Sequence, residues 1–177
     1  MHHWNSYSQL RSLIPKHLHR TPINKLHTKL SKIITLYTAQ GYYFNEGASQ
    51  NELEDSVSRC KKKLDFLPPE HYLKTLEQHN GIVVEGVFLY STKPIKYKES
   101  DGCCLEFIDM NLLSRELKWK DTFIIFGDSD QDEYVLDLAA KRYQVRDKQA
   151  FDNIYEEYET FSELFEYMLD LMISRIS

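Results

Sequence analysis

The stretch FIIFGDSDQDEYVLDL, Phe123 to Leu138, sets Asp128, Asp130 and Asp132 at alternate positions between two apolar runs. Such spacing matches the first oxygen ligands of a calcium loop. That loop also needs glycine at its sixth position and a bidentate glutamate at its twelfth, with helices on either side. Counted from Asp128, those positions hold Glu133 and Ala139, and the flanks are strand-like. The stretch therefore reads as a hairpin. Phe123 to Phe126 form a buried strand, Gly127 lets the backbone turn, and Asp128 and Ser129 offer side-chain oxygens to nearby N–H groups. Glu133 to Leu138 return as a half-buried strand, in which Tyr134, Leu136 and Leu138 alternate with Val135 and Asp137. A turn alone does not require so many carboxylates. Asn or Ser would serve at Asp130 or Asp132, and like charges repel. The surplus hints at a charged partner.

The pattern extends outward from this hairpin. RYQVR (Arg142–Arg146) follows as a further short strand, and IVVEGVFLYS (Ile82–Ser91), interrupted by Gly86, reads as one bulged strand or two short ones. CCLEFIDM suits a strand or a helix start. In NLLSRELKWKD, Leu112, Leu113, Leu117 and Trp119 suit a helix ending near Trp119. The final element has the clearest signature. Thr160-Phe161-Ser162-Glu163 is a capping box, and Phe161, Leu164, Phe165, Met168, Leu169 and Met172 fall on one helical face that must pack on the sheet.

Upstream, a short helix is expected before Pro15. A second begins at Pro22, buries Ile23, Leu26, Leu30, Ile33, Ile34 and Tyr37, and stops at Gly41. Its Lys25, Lys29 and Lys32 read as a solvated outer face. After the loop GYYFNEGASQ, Leu53, Val57, Cys60 and Leu64 mark a helix, and Tyr72, Leu73 and Leu76 mark another that opens near Pro69 and ends at Asn80-Gly81. The outline is α+β: an antiparallel sheet packed with helices, with an N-terminal helical extension over residues 1–48 packed on a domain of residues 49–177.

With 177 residues, 42% of them hydrophobic, the chain is long enough to bury a real core. No apolar run approaches the roughly 18 residues of a membrane span, and no signal peptide is recognisable. Cys60, Cys103 and Cys104 make an odd, poorly spaced set for disulfides or zinc, which suggests a reducing cytoplasm. Charge is unevenly spread. Residues 1–63 carry ten Lys/Arg against four Asp/Glu, whereas residues 128–177 carry five against thirteen. The bland account of the acidic third is a solvated face; the alternative is attraction of a cationic partner.

Catalytic signatures are missing. There is no nucleophile elbow, P-loop or dinucleotide fingerprint. His17 and His19 with His27 have loose metal-ligand spacing, but the segment is rich in Lys/Arg, which a cation avoids. Cys60 lies on the inner face of its helix and reads as core. No enzyme activity, cofactor, metal, membrane or direct nucleic-acid contact is expected. The second acidic block sets Asp152, Glu156, Glu157 and Glu159 among Phe151, Ile154, Tyr155 and Tyr158. Aromatics beside carboxylates suit a protein-binding surface, with Phe151 and Ile154 assigned to the core and Tyr155 and Tyr158 left open.

Three stretches together resemble the SUKH superfamily, the group that includes the yeast cell-wall regulator and many bacterial immunity proteins. They are Leu67-Pro68-Pro69-Glu70-His71-Tyr72 closing with His79-Asn80-Gly81, then Phe123–Gly127 with Asp128 and the strand through Tyr134, and finally the Thr160-Phe161…Leu164 helix. The match covers residues 49–173. It departs from the family pattern at Gly81-Ile82, where a glycine pair is common. The resemblance implies an α+β fold and, for bacterial members, cytosolic protection against a delivered toxin, often a nuclease; it supplies no catalytic residues. Because nuclease sites are positive to hold phosphates, the acidic third has the right sign to occlude one. Asp130, Asp132, Glu133, Glu156, Glu157 and Tyr158 are the expected toxin contacts. The alternative is a regulatory scaffold or adaptor.

Overall fold

The structure is a computed structural model that describes residues 23–97 and 102–176. The helix expected before Pro15 and the His17/His19 pair lie outside the described residues. Helix α1 (Ile23–Ala39) is followed by α2 (Gln50–Leu64) and α3 (Glu70–Gln78). Strands β1 (Ile82–Val84), β2 (Val87–Leu89), β3 (Ile95–Lys96) and β4 (Cys103–Cys104) lead to α4 (Phe107–Ser114) and a 3-10 turn at Lys118–Lys120. Next come β5 (Phe123–Asp128), β6 (Asp132–Asp137), β7 (Arg142–Asp147), β8 (Ile154–Tyr158) and the closing helix α5 (Phe161–Ile176). Six strands form one antiparallel sheet in the order β1-β2-β5-β6-β7-β8, and β3 pairs with β4 apart from it. This is an α+β fold with a helical N-terminal part.

The local signals explain these elements. α2 opens with a capping box in which the Glu52 N–H donates to Ser49 Oγ and the Ser49 N–H donates to the Glu52 carboxylate. At α5 the Glu163 N–H donates to Thr160 Oγ1 while the Thr160 N–H donates to Glu163 Oε2. β1 and β2 are two short strands joined at Glu85-Gly86, whose φ values of 46° and 72° form the left-handed pair a tight hairpin requires.

Both faces of the central strands are covered. On one, α5 buries its whole apolar stripe, Phe161 to Met172. Tyr72 of α3 stands at the centre, its ring 5.2 Å from those of Phe107 and Phe126 and 5.4 Å from that of Phe161. Its hydroxyl donates to the Tyr90 carbonyl, which satisfies the one polar atom the ring carries inward. Each such buried side chain stabilises the fold by about 1.5–3 kcal/mol. α1 adds Leu30 and Ile33 to the same core.

Four expectations need correction. Lys25 and Lys29 do not lie on a merely solvated face: both pair with Glu166 of α5, and Lys29 also reaches Asp170. Gly127 does not turn the chain. It lies inside β5, where a Cβ would fall 2.0 Å from the Phe88 carbonyl oxygen, so glycine is required for close strand approach. The helix expected to reach Trp119 stops at Ser114: α4 buries Phe107, Ile108 and Asn111, and Leu112, Leu113, Leu117 and Trp119 are exposed. Ile154, assigned to the core, is exposed.

Candidate functional site

The acidic hairpin is held by its own chain. Ser129 Oγ accepts from the N–H groups of Gln131 and Asp132, which makes the turn. The three aspartates face different partners. Lys148 Nζ lies 2.6 Å from Asp128 Oδ2, and Arg175 of α5 donates to Asp130 at 2.7 Å. The Arg175 guanidinium holds the Asp130 carboxyl below its usual range. Asp132 moves the other way: partial burial, reinforced by the Asp130 charge, raises it.

Strand alternation sorts the second face. Glu133 and Val135 of β6 and Gln144 and Arg146 of β7 point away from α5. Lys120 donates to both Glu133 oxygens, with side chains only 8% and 12% exposed. Glu133 is therefore nearly covered and offers a partner little. Arg146 donates to Gln144 Oε1 and to the Phe151 carbonyl, and stacks 4.7 Å from the Phe123 ring and 4.9 Å from that of Phe151. A sheet face that would otherwise be apolar holds a satisfied polar network under two aromatic rings.

β8 borders this network. Glu157 accepts from Gln144 and pairs with Arg142, and these contacts lower its pKa. Glu156 is exposed on the α5 side, opposite Val145, with no ion pair among the described residues. Tyr158 is half-buried, its ring 6.4 Å from that of Tyr167, and burial pushes its hydroxyl up to about 12. The exposed Tyr155 donates to Asp147 at 2.6 Å.

Of the six expected contact residues, Glu156, Glu157 and Tyr158 share one strand. Asp130 and Asp132 lie at the β5–β6 turn, and Glu133 lies inward. A further residue was missed by sequence reasoning. Trp119 is 54% exposed, and its ring lies 5.1 Å from that of Phe151. The chain of contacts Trp119–Phe151–Arg146, with Ile154 opposite Arg146 in the register, carries an exposed aromatic to the edge of β8. Only the tryptophan itself, a common interface anchor, hinted at it.

None of the described helices is long and apolar enough to cross a membrane. Comparison with protein-family models and with curated proteins returns no match to this chain.

Proposed function

We propose that this chain is a non-enzymatic immunity protein of SUKH type, acting in the cytoplasm, that binds a cognate bacterial toxin domain and neutralises it. The toxin is a basic nuclease. The observation that carries the reading is the placement of negative charge: Glu156 and Glu157 on an exposed strand that also carries the exposed Tyr155 ring, and Asp130 on an exposed turn. Carboxylates draw in a phosphate-binding surface, and aromatic anchors exclude water once it docks. The three motif stretches also fall into one core: Tyr72, Phe126 and Phe161 touch one another around a single ring cluster.

Contacts would come from Glu156, Glu157, Tyr158, Asp130 and Asp132, with Glu133 supporting the fold instead. The reducing cytoplasm suits the three free thiols, two of them buried. Co-expression with the toxin domain encoded beside the gene tests the reading. Growth rescued by the chain supports it, and continued killing despite a folded, abundant chain rejects it.

A further inference from the structure

We infer that the outer edge of β8 accepts an added strand from an extended, lysine- or arginine-bearing segment of the partner. The inference deepens the toxin-binding reading and rests on it for the source of that segment. The sheet has two edges, and they are treated differently. β1 is buried at Ile82 and Val84, and the neighbouring Asn45 side chain donates to the Gly81 carbonyl. β8 is exposed at four of its five residues, and nothing among the described residues pairs with its outer side. Alternate N–H and C=O groups of such a strand point outward, a ready template for another chain.

Charge selects the occupant. A second copy pairing antiparallel would bring Glu156 and Glu157 against the same residues of its partner, and like charges facing each other across strands destabilise the pair. A segment alternating basic and apolar residues meets the opposite situation: Glu156 has no ion pair among the described residues, while Ile154 and Tyr155 offer exposed apolar surface. The register slip between Val145 and Arg146 twists the strand at Tyr155, and this limits the added strand to a short segment.

Amide hydrogen exchange on the full chain tests this. Alone, the outward amides of β8 should exchange fast at every concentration. Protection that grows with concentration would assign the edge to a second copy, and protection independent of concentration would assign it to residues 1–22; either overturns the inference. Addition of the neighbouring toxin domain should slow these amides by about tenfold or more. If the toxin binds and β8 exchange is unchanged, the inference fails while the toxin-binding reading stands. If the toxin does not bind, that reading fails, and the peptide acetyl-KVKVKVK-amide decides the edge by itself. β8 protection by the peptide, weakened about tenfold in Glu156→Lys, sustains the edge site; no protection removes it.

Discussion

Asn111 completes the hydrogen bonding of Ile125 as a neighbouring strand would. Its Nδ2 donates to the Ile125 carbonyl at 2.8 Å, and its Oδ1 accepts the Ile125 N–H at 2.8 Å. β2 pairs with β5 only at Asp128 and Gly127, and Tyr90 adds one bond to the Phe126 carbonyl before the chain leaves. Without Asn111, both backbone groups of Ile125 on that side would be buried and unpaired. Asn111→Leu should therefore cost about 2–6 kcal/mol, since each of the two orphaned buried groups costs about 1–3 kcal/mol. Urea unfolding measures it, and a loss below about 0.5 kcal/mol would show that water or a shifted β2 fills the gap.

The Lys120–Glu133 pair makes a second prediction. Lys120 also lies 4.4 Å from the Phe151 ring centre, so its stem and its charge are both engaged. Lys120→Met keeps the bulk and leaves Glu133 uncompensated, at a cost of about 3–5 kcal/mol. Adding Glu133→Leu should restore much of that loss, because removing both charges removes the unpaired one. A double variant whose loss equals the sum of the two singles would show that the charges do not interact.

The closing helix and its cap were legible because the signal is redundant: a Thr-x-x-Glu box and an apolar stripe point to one element. β8 was not legible. A strand exposed at four of its five residues has no hydrophobic alternation to read. The exposed leucines at 113 and 117 misled for the opposite reason. They are apolar, while the polar Asn111 is buried beside Phe107 and Ile108 against the sheet. The candidate surface was half legible. Its carboxylates show in the composition, but the pairing of Asp130 with Arg175, 45 residues on, exists only in the fold.

Acid should reveal the α2 cap. The Lys93 ammonium, followed by the Ser49 N–H and hydroxyl, lowers Glu52 to about 2. A carboxylate whose folded pKa is depressed contributes stability that is fully present above its unfolded value near 4.3 and is lost as pH falls toward 2. The side chain is 30% exposed, so solvent screening reduces the contribution to about 1 kcal/mol. Urea midpoints from pH 6 to pH 2 should fall less steeply for Glu52→Gln than for the parent chain, the two curves converging at the acid end. Parallel curves would mean that Glu52 titrates alike in the folded and unfolded chain.

On the proposed function, charge and contact should separate in the kinetics of toxin binding. Asp130 lies on the β5–β6 turn, paired with Arg175, and Glu156 lies on β8 with no ion pair among the described residues. Steering acts over a Debye length and registers net charge, so Asp130→Asn and Glu156→Gln should each slow association by about twofold to threefold at low salt. Both effects should vanish near 0.5 M salt. Dissociation depends on close contact: Glu156→Gln should speed it more than Asp130→Asn, because Arg175 already holds the Asp130 carboxylate and most close-range changes appear in the off-rate. Stopped-flow mixing across ionic strength measures both rates. Association indifferent to salt in the parent chain would remove electrostatic attraction from the mechanism, leaving the exposed Trp119 and Tyr155 rings to account for binding.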